Sequence, residues 1–205
     1  MAALLRDAAT RGYKRLDATI AIDAASLKPN INDDMPSVEQ ILIAETPASP
    51  MANRSAVRAV PGRGLEGDRY FIGAGTFSPN PQKPDFEITL IEKEKVEEFA
   101  RDSGLPFTAS HARRNIVTVG VDLNALVGRE FYVGQVRIRG IRLCEPCTHL
   151  AKASFPETLK GLLHKGGLRA QILSEGNIHT GDVIRVESSL LRFNIGCSKL
   201  DVGCS

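Results

Sequence analysis

Short runs of alternating apolar and polar residues fill most of the sequence between positions 38 and 188, and glycine, proline and asparagine separate them. Alternation with a period of two indicates β-strands, and the frequent turn residues indicate that these strands are short. One stretch differs, because residues 92–103 place Val96 and Phe99 on one helical face and stop at Gly104. The pattern therefore predicts a mostly β fold, namely a closed β-barrel of short strands with a few peripheral helices.

Composition divides the 205-residue chain into one compact domain and two flanking segments. Residues 38–188 carry the alternating runs and are numerous enough to bury a hydrophobic core. Residues 1–37 end in a stretch rich in proline, asparagine and aspartate, which is typical of a linker. We therefore expect an N-terminal extension at 1–37 and a C-terminal tail at 189–205, both flexible and both contributing little to stability.

Bulk composition argues against several classes of partner. The net charge is only +2, aromatic residues make up 5% and tryptophan is absent, which argues against a nucleic-acid-binding protein. No apolar run approaches the roughly 18 residues of a membrane span, so no membrane partner is expected. Four cysteines are too few to build a fold of this size on disulfides, so a reducing cytoplasm is the expected location. The composition leaves a small-molecule substrate or cofactor as the expected partner.

A change of phase marks the strand that precedes the cysteines. Val136 and Ile138 share one face, but after Gly140 the apolar alternation resumes at Ile141, one residue out of phase. A β-bulge or bend at the glycine accommodates such a shift. The bend would leave Arg142 and Cys144 on the face opposite the core, which is consistent with a site at the end of the strand.

The pair Cys144 and Cys147 follows that strand end directly. Pro146 suits the first turn of a helix, which predicts that Cys147 lies in the first turn of a short helix. The helix N-terminus and the nearby Arg142 both favour the thiolate over the thiol, whereas Glu145 opposes it. A thiolate at such a corner is a candidate nucleophile or soft metal ligand, and we assign both roles to Cys147.

Three other interpretations of the cysteine pair stay open. Cys197 and Cys204 could complete a four-ligand zinc site, although their spacing is unusual and no second C-x-x-C is present. A thioredoxin-like redox motif needs a βαβ context, which the following sequence does not resemble. The two cysteines could also be small buried apolar residues without chemistry.

Two further stretches carry candidate ligand-binding residues. Glycines at 62, 64 and 67 match a G-x-G-x-x-G pattern, but no βαβ unit surrounds them, so we reject a dinucleotide fold. The charged pair Asp68 and Arg69 in this tight loop is a candidate for fixing the loop or a ligand. Arg113 and Asn115, at the start of a predicted strand, can grip a phosphate, although arginines at such a position are often only solvated.

Four motifs occur in order along the chain, namely Gly64–Arg69 (GLEGDR), Arg113–Val117 (RRNIV), Cys144–Cys147 (CEPC), and Gly176 with Gly181–Val183 (GDV). With these motifs the chain resembles the MOSC domain, named for the C-terminal domain of molybdenum cofactor sulfurase, from about position 38 to position 187. The resemblance implies a mostly β barrel with peripheral helices. It also implies a cysteine, matching Cys147, that carries sulfur or binds molybdenum through its sulfur.

The resemblance further implies a molybdenum cofactor, molybdopterin, and at the level of the family also pyridoxal phosphate binding. In the amidoxime-reducing relatives an Arg-x-Asn motif holds the phosphate region of the pterin, and it matches Arg113 and Asn115. Those relatives have proline where this chain has Arg114. They also carry hydroxyl residues where this chain has Pro84 and Asp85.

Two mechanisms and one alternative follow from the resemblance. In the first, Cys147 ligates molybdenum while Arg113, Asn115 and Arg142 hold the anionic tail, and N-hydroxylated compounds are reduced with electrons from a partner reductase. In the second, Cys147 carries a persulfide and passes on its sulfur. The alternative is a non-catalytic binding module for an anionic metabolite. We expect Cys147 to be accessible and Cys144 to be the less exposed cysteine.

Overall fold

The computed structural model describes residues 35–78 and 83–186 of the chain. The expectations for the segments 1–34 and 189–205 therefore lie outside the described residues, and the domain bounds 38–188 stay a prediction. Eleven strands and four α-helices form in the described ranges. No described helix is long and apolar enough to cross a membrane.

The strands follow one another closely, as the short alternating runs predict. In chain order they are β1 (Ser37–Ile43), β2 (Ala52–Arg54), β3 (Ala56–Val60), β4 (Gly64–Leu65), β5 (Ile88–Glu92), β6 (Ile116–Val119), β7 (Glu130–Val133), β8 (Val136–Leu143), β9 (Leu168–Ile172), β10 (Gly176–His179) and β11 (Ile184–Val186). The helices are α1 (Lys93–Ser103), α2 (Ala109–Ala112), α3 (Thr148–Ala153) and α4 (Thr158–Gly161).

Eight strands form one strongly curled sheet in the order β11-β7-β8-β9-β5-β6-β1-β2, and the smaller sheet has the order β10-β3-β4. The predicted mostly β class is confirmed, but the prediction that the barrel is closed is wrong. The large sheet keeps two separate edges, β11 and β2, each only three residues long. In the described residues, β1 meets the segment before β11 in one isolated bridge, Ser37 with Val183, with backbone hydrogen bonds beside it but no strand ladder. The sheet is therefore a half-barrel rather than a closed cylinder.

The phase shift at Gly140 is a β-bulge. The register of β8 against β9 shifts between Gly140 and Arg142, so that Ile138 pairs with Ile172 while Arg142 pairs with Arg169. A side chain at Gly140 would collide with the carbonyl oxygen of Leu126, which explains the glycine. The bulge keeps Arg142 on the face opposite the inner core, as the sequence predicts.

Two hydrophobic clusters lie on the two faces of the curled sheet. The inner cluster fills the concave side and includes the fully buried Ile41, Leu90 and Phe131. The outer cluster packs α1, α2, α3 and Leu162, which directly follows α4, against β1, β5 and β6, whose alternate residues are also buried. These three strands are therefore buried on both faces. By contrast, the outward residues Arg137 and Arg139 of β8 are exposed.

Helix α1 forms where the amphipathic pattern predicts it. Val96 and Phe99 are buried against the sheet, and Phe99 meets Phe107 edge to face with ring centroids 4.7 Å apart. Gly104 ends the helix in the left-handed conformation at φ 68° and donates its N–H to the carbonyl of Ala100.

Glu92, at the junction of β5 and α1, carries a buried carboxylate. Its Oε1 accepts a hydrogen bond from the N–H of Leu123 at 3.2 Å, and its Oε2 is buried without a partner among the described residues. Burial raises the pKa of the Glu92 carboxyl above its ordinary value near 4.5. The protonated form therefore stabilises the fold at low pH, and this contribution is lost as the pH rises above about 4.5.

We expect Glu92→Gln to stabilise the protein by about 1 kcal/mol at pH 8, because the amide keeps the bond to Leu123 without a buried charge. At pH 4 the advantage should vanish, since the wild-type carboxyl is then neutral as well. Urea denaturation at both pH values measures this difference, with the exposed Glu97→Gln as control. An advantage of equal size at pH 4 and pH 8 would contradict this account.

Candidate functional site

Cys147 caps the start of α3 and is exposed. Its backbone is extended, with φ −134° and ψ 167°, and its carbonyl accepts the N–H of Ala151 at 3.0 Å. The helix begins at Thr148, one residue later than predicted, because Pro146 lies in the extended segment before the cap rather than in the first turn. The thiol nevertheless lies at the corner between a strand and a helix, where the sequence places it.

Cys144 is buried, with 2% of its surface exposed. Its N–H donates to the carbonyl of Gly167 at 2.7 Å, which ties the end of β8 to the start of β9. Gly166 has to be a glycine, since a Cβ there would collide with the carbonyl oxygen of Cys144. Both cysteines in the described part of the chain are free thiols, and Cys144 is the less exposed of the two, as expected.

The buried side chain of Arg114 holds the backbone around the cysteine segment in place. Its guanidinium donates from Nε to the carbonyl of Gly166 at 2.8 Å, from Nη1 to that of Ala112 at 2.8 Å and from Nη2 to that of Cys144 at 2.9 Å. Only 7% of Arg114 is exposed. It is therefore neither a solvated surface arginine nor a free cation for a ligand, and it fixes the backbone that presents Cys147.

A cleft opens beside Cys147 on the outer side of the sheet. Four arginines from three separate parts of the chain line it, namely Arg69 after β4, Arg113 and the engaged Arg114 before β6, and Arg169 on β9. Asn115 and Cys147 line it as well. The structure thus brings four of the six predicted site residues to one cleft.

The two other predicted site residues lie elsewhere. Arg142 does not line the cleft, because its guanidinium pairs with the carboxylate of Asp85 at 2.6 Å. Asp68 lies beneath the cleft wall and is only 3% exposed. Its carboxylate accepts the N–H of Ala44 at 3.1 Å and that of Tyr70 at 3.0 Å. Asp68 therefore fixes the glycine-rich loop, which is one of the two roles that the sequence suggests.

Arg113 adopts the left-handed conformation at φ 55°, between α2 and β6. Its guanidinium donates to the carbonyls of Pro47 at 3.0 Å and Ser49 at 3.2 Å. Burial lowers the pKa of this guanidinium, and the neighbouring positive charge of Arg69 lowers it further. Arginine stays protonated in proteins, and the buried Asp68 offsets only one of these two charges, so this side of the cleft keeps a net positive charge.

The amide of Asn115 is already engaged within the wall. Its Nδ2 donates to the carbonyl of Leu42 at 3.2 Å and to Asp68 Oδ2 at 3.3 Å, and its Oδ1 accepts the hydroxyl of Thr89 at 2.8 Å. These bonds join β1, β5 and the glycine-rich loop. The side chain thus holds the wall of the cleft, and the arginines supply its charge.

Aromatic rings hold two of the arginines in place. The guanidinium of Arg69 lies 5.0 Å from the ring of Tyr70, and that of Arg169 lies 4.8 Å from the ring of Phe86. The two rings contact each other with centroids 5.9 Å apart. Sequence reasoning missed Arg169, although Leu168 and Ala170 alternate with it as core residues and so place it on the outer face.

The cleft is narrow. Its enclosed part measures about 60 Å³, which is room for a few water molecules or a small anionic group. On the rim, the ring of Phe77 meets His149 of α3 edge to face at 5.5 Å. A larger ligand would place only one end beside Cys147 and extend over the open mouth.

A metal held by protein ligands alone does not fit the described residues. No group of three or more histidine, cysteine, aspartate or glutamate side chains is arranged there to hold an ion. The zinc interpretation thus has no support within these residues, and Cys197 and Cys204 lie outside them. Cys147 can supply one soft ligand to a metal that brings its other ligands with it.

Comparison with known proteins identifies the family of this site. The family model described as "MOSC domain" matches residues 65–185, which is more than half of the chain and contains Cys147 and the arginines of the cleft. The chain belongs to the MOSC domain family. This family is associated with the molybdenum cofactor, and the resemblance noted in the sequence is confirmed. No curated protein matches the sequence significantly.

Solved structures share this MOSC fold at low sequence identity. The YuaD protein from Bacillus subtilis is 20% identical with a TM-score of 0.60, and the match covers 74% of this chain and 95% of that one. YiiM from Geobacillus stearothermophilus is 17% identical with a TM-score of 0.57, covering 75% of each chain. YiiM from Escherichia coli is 18% identical with a TM-score of 0.53, covering 73% of this chain and 69% of that one. At these identities the likeness shows the fold alone.

The burial of the two MOSC cysteines predicts their reactivity. We expect a charged alkylating reagent to label Cys147 within minutes and to leave Cys144 unlabelled until the protein unfolds, because only Cys147 is exposed. Peptide mass spectrometry at successive times separates the four cysteines of the chain. Fast labelling of Cys144 together with slow labelling of Cys147 would contradict the site described here.

Proposed function

We propose that this MOSC protein binds the molybdenum cofactor in the Cys147 cleft and reduces N-hydroxylated compounds with electrons from a partner protein. The observation that carries the proposal is an exposed thiol beside a cleft lined by Arg69, Arg113 and Arg169. Thiolates suit soft metals, and guanidinium groups suit phosphate. A molybdopterin carries both kinds of group.

The donor set of the cleft fits this cofactor. Molybdopterin brings its own sulfur ligands, so the protein needs to add only one thiolate, and Cys147 is the exposed cysteine of the described residues. The enclosed volume of about 60 Å³ admits one end of such a molecule. The rest would extend over the mouth, where Arg169 is available for its anionic part.

Each lining residue has a role that follows from its contacts. Cys147 would ligate the metal, while Arg113 and Arg169 would bind the anionic tail. The rings of Tyr70 and Phe86 cover one wall and limit water, which strengthens the electrostatic interactions of the arginines. When bound, the cofactor supplies a metal centre that changes its oxidation state and accepts an oxygen atom from the substrate.

A second candidate function is sulfur transfer through a persulfide on Cys147. The accessibility of this thiol favours it, because a carrier cysteine has to reach a donor and an acceptor. Cys144 is buried beneath the strand end, where its N–H donates to Gly167 and its carbonyl accepts from Arg114. The buried thiol of Cys144 would therefore not be available at the surface to attack a persulfide on Cys147.

An activity assay tests the proposal. Protein from a host that makes molybdopterin, reduced with dithionite and viologen, should convert an aromatic amidoxime into the amidine. Cys147→Ser should lower the rate by about 100-fold or more, since even indirect partners of a metal cost 10–100-fold. Cys197→Ser, the same change elsewhere in the chain, is the matched control.

The other outcomes separate the alternatives. Cyanide-labile sulfur that depends on Cys147, without amidoxime reduction, would replace the reductase by the sulfur carrier. The absence of both, with unaltered binding of anions by Cys147→Ser, would overturn both proposals in favour of a non-catalytic binding module for an anionic metabolite.

A further inference from the structure

Five arginines lie on the outer face of the large sheet, beside the helix-covered strands. We name this set the arginine face; it comprises Arg137, Arg139 and Arg142 on β8, Arg169 on β9 and Arg185 on β11. The residues that alternate with them, such as Ile138, are buried in the inner core. The alternation of β-strands therefore places all five arginines on one side of the sheet.

The strand register arranges these side chains in rows. Arg185 and Arg137 lie on either side of Tyr132, Arg139 pairs with Glu130, and Arg142 pairs with Arg169. From Arg137 to Arg142 the face extends about 16 Å along β8, at about 3.3 Å per residue. Because Arg169 also lines the cleft, the arginine face is continuous with the mouth of the proposed active site.

The arginine face is accessible. The side chains of Arg137, Arg139 and Arg142 are 46%, 47% and 52% exposed. The outer cluster, with its residues from α1, α2 and α3, lies over β1, β5 and β6 instead. About half of each of these three side chains is therefore open to a partner, although Asp85 pairs with Arg142 at one end of the face.

Two carboxylates lie within the face. Glu130 accepts hydrogen bonds from Arg139 and lies 3.8 Å from the guanidinium of Arg137, and the bond from Arg139 lowers the pKa of Glu130. Asp85 pairs with Arg142. Five cations against two anions leave the face positive, whereas the whole chain has a net charge of only +2. The positive charge is therefore concentrated beside the cleft.

We infer that the arginine face docks an acidic electron-carrier protein of the ferredoxin type, which delivers electrons to the Cys147 cleft. This inference rests on the proposed reductase function, because only a reductase needs an electron donor. Reducing one N–OH group to N–H releases one water and consumes two protons and two electrons. Two molecules of a one-electron carrier are thus oxidised in each turnover.

The size and composition of the face suit such a carrier. The face crosses four strands, so three strand spacings of about 4.8 Å by about 16 Å span roughly 230 Å², which lies within the small contact areas of transient redox complexes. Arginine is also enriched in protein interfaces, and opposite charges accelerate encounters between proteins. A carrier that has to dissociate after each electron benefits from a fast, weak contact of this kind.

The same observations disfavour a nucleic acid. Glu130 and Asp85 would repel a phosphate backbone at two places in the face. The aromatic ring at its centre, Tyr132, lies 5.6 Å beneath the guanidinium of Arg185 and offers no free stacking surface. Acidic side chains spaced on a folded protein can meet the arginines and avoid these two carboxylates.

Binding of a plant-type ferredoxin to the purified full chain tests the inference. The double variant Arg137→Glu/Arg185→Glu should weaken binding about tenfold or more at low salt, and wild-type binding should weaken steeply as salt increases. The milder Arg137→Gln/Arg185→Gln should give a smaller loss in the same direction. Arg101→Glu is the matched control, because Arg101 is 72% exposed and lies on α1 rather than on the arginine face. This variant should bind ferredoxin within about twofold of wild type.

Activity separates this inference from the proposed function. Ferredoxin-driven reduction should decrease in the double variant while dithionite-driven reduction stays at the wild-type rate. Equal ferredoxin binding by wild type and double variant would overturn the docking surface, even if the reductase is active. The inference would also be overturned if the wild type did not bind ferredoxin but bound single-stranded RNA or phosphatidylserine vesicles through these arginines. Arginine-dependent ferredoxin binding without any reductase activity would support docking and overturn the proposed function.

Discussion

Replacing Arg114 by methionine is expected to lower the free energy of unfolding by about 3 kcal/mol or more, and to disorder the segment that presents Cys147. The variant removes the donors of three carbonyls at once, those of Ala112, Cys144 and Gly166. A buried polar group that loses its partner costs about 1–3 kcal/mol. Methionine has a similar length but supplies no donor.

Two comparison variants sharpen this prediction. Arg114→Lys keeps the positive charge, but one ammonium cannot reproduce the planar fork that reaches three carbonyls, so we expect an intermediate loss. Arg101→Met changes an exposed arginine and should have almost no effect. Urea denaturation gives the stabilities, and alkylation of Cys147 reports on the segment. An unfolding free energy of Arg114→Met within about 0.5 kcal/mol of wild type would show that the clamp is not needed.

Replacing Asp68 by alanine is expected to cost about 3–5 kcal/mol. Asp68 accepts hydrogen bonds from two backbone N–H groups and from Asn115, and it pairs with Arg69 at 3.2 Å. The side chain of Arg69 is only 9% exposed, so its charge would remain in the wall without a carboxylate. The glycine-rich loop and one side of the cleft should loosen together.

Asp68→Asn is the matched control, because the amide has the same shape and keeps one acceptor oxygen. It should lose less stability than alanine, and both variants should be compared at pH 7 by thermal and urea denaturation. If Asp68→Ala were no less stable than Asp68→Asn, the carboxylate network would not be what holds the loop.

Local features of the fold could be predicted from the sequence. The apolar stripe of α1 and its terminal glycine depend only on neighbouring residues, and so does the phase shift at Gly140. Strand β10 shows the limit, because Gly176 and Asn177 indicate a turn by residue type. Pairing with β3 nevertheless makes them a strand. Tertiary contacts override local preference at such positions.

The open sheet could not be predicted from periodicity. Whether a curled sheet closes depends on the distance between the strands at its two edges. The alternation of apolar and polar residues gives no information about that distance. In this protein β2 and β11 are each three residues long, and they form separate edges. The sequence therefore predicts the strands correctly and their closure incorrectly.

The candidate site could be predicted only where a residue's role depends on its neighbours in the sequence. The exposure of Cys147 follows from its position at a strand end, and the alternation of β9 places Arg169 on the outer face. The role of Arg114 does not follow from its neighbours, because it binds carbonyls 30 and 52 residues further along the chain. The engagement of Asn115 likewise depends on Leu42 and Thr89, on other strands.

The most direct test of the proposed function is the molybdenum content of the purified protein. Wild type and Cys197→Ser, made in a host that synthesises molybdopterin, should contain molybdenum in equimolar amount with the chain by mass spectrometry of the metal. Cys147→Ser should contain almost none, and wild type from a host without molybdopterin should contain none. Equal molybdenum in Cys147→Ser and wild type, or none in either, would contradict the assignment of Cys147 as the cofactor ligand.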